Sequence, residues 1–162
     1  MTKAQINRRE VLLRKLFRNL KKNYPEKYDS WLGYIKVDDQ YCYTDGHRMY
    51  LLNDTYVYNE NECCKIKMNI NNVYKIFDSI TTHTTKVDIV DLKRFIKERN
   101  NKTEPYILTF NKLDKQIKIN PIYLLEALQM FNTNEVSYDK TKWYQIYIYG
   151  ENNEKGTIYI MR

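Results

Sequence analysis

The run Gln40-Tyr41-Cys42-Tyr43-Thr44-Asp45-Gly46-His47-Arg48-Met49-Tyr50-Leu51-Leu52 decides the fold. Two segments rich in aromatic and aliphatic side chains flank Asp45-Gly46. The glycine accepts the positive φ of a tight reversal, so Gln40 to Tyr43 and Arg48 to Leu52 are predicted as paired strands. Upstream, Trp31 to Val37 reads as a further strand, turned back by Asp38-Asp39. Before it, Asn23-Tyr24-Pro25 closes a helix. Between Gln5 and Lys22, Leu13, Leu16, Phe17 and Leu20 recur at i, i+3, i+4 and i+7 and make one apolar stripe.

Downstream the pattern is helix and strand again. Cys63 to Met68 alternates as a strand, and Asn69 caps a helix that sets Ile70, Val73, Phe77 and Ile80 on one side. The polar run Thr81-Thr82-His83-Thr84-Thr85 reads as a connection. Val87 to Val90 is predicted as a short strand, with Asp91 capping a helix that carries Leu92, Phe95 and Ile96. Tyr106 to Phe110 and Gln116 to Ile119 follow as strands. Asn120-Pro121 then opens a helix through Leu124, Leu125 and Leu128 to about Phe131, with asparagine as cap and proline at the first position. Val136 to Tyr138, Tyr144 to Tyr149 and Thr157 to Met161 complete the chain as strands, the last two joined by the polar loop Gly150 to Gly156. The expected class is α+β, with helices on one face of mainly antiparallel sheets. The chain divides into two halves, 1–85 and 86–162, which stand as two small domains or pack as one compact unit.

Composition narrows the function. The 162 residues include 43% hydrophobic side chains and 16 tyrosines, enough to build a core. Lys and Arg number 27 against 20 Asp and Glu, a net charge of +7 that favours polyanionic partners where it is clustered. The clustering is strongest on the first helix, where Lys3, Arg8, Arg9, Arg14, Lys15, Arg18, Lys21 and Lys22 are placed on the non-apolar faces with Glu10 as the single acid. The same charge is compatible with a merely solvated helix. Three cysteines, Cys42, Cys63 and Cys64, lack metal-ligand spacing. Together with the lack of a signal-peptide or membrane-length apolar run, they point to a cytoplasmic protein without membrane contact.

Three ordered segments resemble the bacterial DNA sliding clamp, the β subunit of DNA polymerase III. Tyr43-Thr44-Asp45-Gly46-His47-Arg48-Met49 resembles a segment of that family's middle domain. Ile117-Lys118-Ile119-Asn120-Pro121-Ile122-Tyr123-Leu124-Leu125-Glu126-Ala127-Leu128 resembles a strand, cap and helix of its last domain. Ile158-Tyr159-Ile160-Met161-Arg162 resembles its terminal strand, with Ile160 where the family has proline. Full clamps carry three domains per chain, so the likeness is to a reduced clamp of middle-domain-like and last-domain-like halves, of the kind a phage or mobile element would encode.

What the resemblance implies is a groove that captures short peptides of replication proteins such as polymerases and clamp loaders. Thr44, Gly46 and Met49 would form one wall, bordered by His47 and Arg48, and Ile158 and Met161 the other, with Arg162 at the rim. It further implies non-specific contact of the first helix and Lys27 with the duplex backbone. Lys27, Tyr28 and Trp31 match in position a DNA-touching loop of the clamp. Ring closure would need a homo-oligomer. Alternatives are a basic nucleic-acid-binding module without peptide affinity, and an inhibitor that sequesters host replication proteins. No enzyme is expected, for neither a phosphate-binding glycine loop, a nucleophile elbow nor a paired-histidine metal motif is present, and no cofactor or metal is implied. Asp38-Asp39 with Asp45 are read as turn residues rather than a nuclease metal site.

Overall fold

The computed structural model describes residues 2–23, 33–53 and 69–161. They fall into two compact units, 1–78 and 79–162. The predicted strand at Cys63 to Met68, together with Lys27, Trp31 and Arg162, lies outside the described residues.

The first unit opens with α1, Lys3–Asn23. Thr2 and Gln5 form a reciprocal capping box: the Gln5 N–H donates to Thr2 Oγ1 at 3.2 Å and the Thr2 N–H to Gln5 Oε1 at 2.9 Å. The apolar stripe is buried as its spacing predicts, with Leu13, Leu16, Phe17 and Leu20 all closed to solvent. Arg9 lies on the same stripe, four residues before Leu13, and is buried with it rather than joining the basic face. Strands β1 (Gly33–Val37), β2 (Gln40–Thr44) and β3 (Arg48–Leu52) form an antiparallel meander, Val37 pairing with Gln40 and Thr44 with Met49. Phe17 of α1 meets Tyr43 of β2 with ring centroids 6.0 Å apart, which ties the helix to the meander.

Helix α2, Ile70–Phe77, starts where Asn69 accepts the Asn71 N–H on its side chain. Val73 and Phe77 are buried, but the helix ends before Ile80, which is exposed. The chain leaves helical geometry at Asp78, so the spacing that linked Ile80 to Phe77 no longer places them on one face.

In the second unit the polar connection proves to be a strand. β4, His83–Lys86, pairs antiparallel with β7, Glu135–Tyr138. Its His-Thr-Thr-Lys sequence has no apolar alternation because it is the outer strand of its sheet. Helix α3, Ile89–Glu98, starts at Asp88, whose carboxylate accepts the Asp91 N–H at 3.1 Å. Both acids can cap, but the earlier one takes the role and Asp91 becomes a first-turn acid favourable to the helix dipole. Strands β5 (Tyr106–Leu108) and β6 (Ile117–Ile119) pair as a separate ribbon. Helix α4, Pro121–Phe131, opens on Asn120, which accepts the N–H groups of Ile122 and Tyr123. It closes on Asn132 in the left-handed region, with the Thr133 N–H reaching back to the Leu128 carbonyl.

Strands β8 (Gln145–Tyr149) and β9 (Lys155–Tyr159) make a hairpin beside β7, so the order is β9-β8-β7-β4. The loop between β8 and β9 is tighter than its length promises. Asn152 and Asn153 both take positive φ and Glu154 donates to the Glu151 carbonyl at 3.0 Å, the pattern of a type I′ turn. Leu124, Ala127 and Leu128 of α4 form the core with Ile146, Ile148 and Ile158.

Asp139 organises the loop after β7. Its Oδ1 accepts the Thr141 N–H and hydroxyl, and its Oδ2 the Ile80 N–H at 2.9 Å. Burial works to raise the carboxyl pKa, but these hydrogen bonds and the neighbouring Lys142 charge outweigh it and hold the carboxyl below its ordinary value. A folded-state pKa below the unfolded one makes a contribution to stability that is complete above about pH 4 and is lost as pH falls through the lowered value. Urea unfolding followed between about pH 5 and pH 2 should therefore show a loss of stability that Asp139→Asn reduces; an identical pH profile in the variant would contradict this role.

Candidate binding site

The turn between β2 and β3 is built from its own side chains. Asp45 donates its N–H to the Arg48 carbonyl at 3.4 Å, which leaves Gly46 and His47 as the two central residues. Gly46 has φ 87° and His47 is not in the left-handed region, the φ pattern of a type II′ hairpin turn. Only glycine enters the first central position without steric cost. The Thr44 hydroxyl donates to the Arg48 carbonyl at 2.8 Å and accepts the Gly46 N–H at 3.0 Å.

Asp45 carries the largest share of this geometry. One carboxylate oxygen accepts the N–H groups of His47 and Arg48 at 2.9 and 3.1 Å, and the other accepts Arg48 Nε at 3.1 Å. The pair is nearly sealed, with side-chain exposures of 2% for Arg48 and 8% for Asp45, so the charge-assisted bonds act in a low dielectric. The Tyr50 hydroxyl accepts from Arg48 at 3.4 Å.

The candidate peptide-binding residues therefore divide by burial. Thr44, Arg48, Met49 and Ile158 are closed to solvent. Gly46 and Met161 are half-buried and His47 is exposed. Arg48 was expected to border a groove with its polar head, and its guanidinium instead turns inward to Asp45. The turn thus presents the Gly46 backbone and the His47 side chain. Asp45 is the residue sequence reasoning left out of the site, and the Asp-x-x-Arg spacing across the turn was the available signal.

The end of the chain is held from two sides. Beyond β9, the Ile160 N–H donates to the Tyr144 carbonyl at 3.0 Å and the Met161 N–H to the Lys118 carbonyl of β6 at 2.8 Å. Ile158 points into the core while Met161 sits where β9 continues alongside the β5–β6 ribbon.

On α1, Arg8, Arg14, Lys15, Arg18 and Lys22 are exposed. At 3.6 residues per turn they share an arc of roughly 120° opposite the apolar stripe. The acids considered for a metal are otherwise engaged, Asp45 by Arg48 and Asp38 by the Tyr74 hydroxyl. Among the described residues no three His, Cys, Asp or Glu side chains gather as a donor set, and no helix is long and apolar enough to cross a membrane.

This architecture is that of the bacterial DNA sliding clamp. It matches the DNA polymerase III subunit beta of Borrelia burgdorferi, solved in complex with a natural product, with a TM-score of 0.62 at 17% identity, over 98% of this chain and 61% of that one. It also matches the Pseudomonas aeruginosa subunit beta with a TM-score of 0.57 at 12% identity, over 93% of this chain and 65% of that one. A structure of the P. aeruginosa clamp with ligand gives 0.56 at 12% identity, over 93% and 64%. The chain spans less than two thirds of the length of these clamps, and the likeness is one of fold. No protein-family profile matches the sequence, and no curated protein matches it.

The turn geometry has a measurable consequence. Asp45→Ala removes the carboxylate bonded to a buried guanidinium and should cost about 3–5 kcal/mol in denaturant unfolding. Adding Arg48→Met to Asp45→Ala should recover part of that loss, and strict additivity of the two substitutions would refute the coupling.

Proposed function

We propose that this chain is a non-catalytic, reduced sliding-clamp protein that binds short peptides of replication proteins. The observation that carries the reading is the Thr44–Met49 turn, held by the Asp45–Arg48 pair with Gly46 at positive φ, within a clamp-like fold. A turn locked before binding loses little entropy when a peptide docks on it. In this reading Gly46 allows close approach of a peptide backbone and His47 supplies an exposed polar contact. Met161 supplies an adaptable apolar surface, with Arg162 at its side. Thr44, Arg48 and Met49 back the turn from inside the first unit, and Ile158 backs Met161 from inside the second. The partners are polymerase and clamp-loader peptides bearing a glutamine and two or three large apolar anchors.

The test is fluorescence polarisation with such a labelled peptide. Saturable binding tighter than about 100 μM is expected, an affinity of about 5–6 kcal/mol. His47→Ala and Met161→Ala should each weaken it about ten-fold, the scale of a single interface anchor. No saturation at that concentration, or affinity indifferent to both substitutions, would remove the peptide reading.

The exposed basic arc of α1, Arg8, Arg14, Lys15, Arg18 and Lys22, supports a second element, non-specific contact with duplex DNA, to which the proposal adds Lys21. Lys27 extends this set in the proposal. Duplex retention should fall steeply with salt, and Arg14→Glu with Arg18→Glu should abolish it at low salt while leaving peptide affinity unchanged. Retention by the doubly reversed variant would place the DNA contact elsewhere.

A further inference from the structure

The second unit carries an aromatic cluster at the surface that neither the peptide nor the duplex reading uses. Trp143 and Tyr144 stand at the mouth of β8 and are 59% and 43% exposed. Trp143 meets Tyr144 edge-on with centroids 5.8 Å apart, and Tyr144 stacks on Tyr159 of β9 at 6.4 Å with ring planes 27° apart. Two large adjacent aromatics left this open in a chain that buries Tyr43, Tyr50, Tyr138 and Tyr147 almost completely are a surface in search of a flat apolar partner.

The loop that presents them is rigid before any partner arrives. Asp139 pins its start through Thr141 and Ile80, the Lys142 N–H donates to the Asp139 carbonyl at 2.9 Å, and the Tyr138 hydroxyl donates to the Trp143 carbonyl at 3.4 Å. The charges of the β7–β8 loop and of the β5–β6 ribbon have one dominant sign. Lys140 is exposed in the same loop, and Lys118 is exposed on β6, whose carbonyl holds the Met161 N–H one residue from the Ile160–Tyr144 bond. Lys115 lies with its ammonium 5.2 Å from the Tyr138 ring. Lys142 faces Asp139, which leaves Asp114 as the exposed acid of these two loops.

From two exposed aromatic side chains on a loop and a neighbouring strand that also carry exposed lysines, we infer that Trp143 and Tyr144, the latter backed by Tyr159, form a stacking platform for single-stranded nucleic acid, with Lys118 and Lys140 as its phosphate contacts. Stacked aromatics interleaved with cations suit a strand whose base faces are open. A duplex keeps those faces against neighbouring base pairs and offers only its backbone. An apolar peptide would use the rings but gain nothing from the lysines. The platform adjoins the Met161 segment, whose backbone Tyr144 and Lys118 hold, but uses different side chains from the peptide reading and none from α1.

The chain has two tryptophans, Trp31 and Trp143, so Trp31→Phe isolates the platform's fluorescence. In this variant a dT oligomer of about 12 nucleotides, within the site size of known single-strand grooves, should quench Trp143 saturably at low salt. A duplex of the same length should not. Tyr144→Ala should weaken the dT binding about ten-fold, and Lys118→Glu with Lys140→Glu should weaken it and flatten its salt dependence. Arg14→Glu with Arg18→Glu should leave the quenching intact, which separates the platform from the helix. Anisotropy of a labelled dT oligomer on the unsubstituted chain and on Trp143→Ala gives the same comparison without the Trp31 change. Absence of binding, equal quenching by duplex, or unchanged affinity in Trp143→Ala overturns the proposal. Quenching by the glutamine-containing peptide but not by dT would assign the rings to peptide capture and overturn it equally.

Discussion

The carboxylate of Asp45 is the constraint on which the first unit's β2–β3 turn depends. It closes the hairpin by accepting two backbone N–H groups and neutralises Arg48 inside the protein. A buried guanidinium is tolerable only with such a partner, and a buried carboxylate only with donors to both of its oxygens. Each residue makes the other's burial affordable. The consequence is a turn whose backbone direction is set by interior electrostatics, leaving Gly46 and His47 as the part that meets solvent.

The second unit solves the same problem by different means. Its terminal segment is tied by backbone hydrogen bonds to Tyr144 and Lys118, on two different ladders. Asp139 then draws the β7–β8 loop toward the start of the unit, and that loop carries Trp143 and Tyr144 outward. Both units thus present a small exposed surface on a frame fixed by internal polar contacts. Such preorganisation lowers the ordering cost of any partner that docks there.

Elements whose signals are local were legible in the sequence. The 3.6-residue period of α1, the Asp45-Gly46 turn, and the Asn120-Pro121 opening of α4 each encode their structure in adjacent residues. The capping box at Thr2 and Gln5 was equally readable, though the helix was begun at Gln5 without it. Errors came where two local signals competed or where none existed. Asp88 and Asp91 are both competent caps, and hydrogen-bond geometry at the end of β4 selects the first. His83–Lys86 carries no apolar alternation, and only pairing with β7 makes it a strand. Ile80 continued the period of α2 beyond the point where Asp78 leaves helical geometry.

By itself, the sequence determined the α+β class, the order of most elements, the basic helix and the clamp-like turn. These follow from periodicity, capping and turn stereochemistry, which act over a few residues. Tertiary structure alone decided which side chains of the turn face water. Arg48 is polar by every local criterion, yet a carboxylate three residues away and a buried strand around it made the interior its lower-energy place. It also decided that Trp143 and Tyr144 stay at the surface, since burial of an aromatic depends on what the fold sets above it and not on the residue's own hydrophobicity.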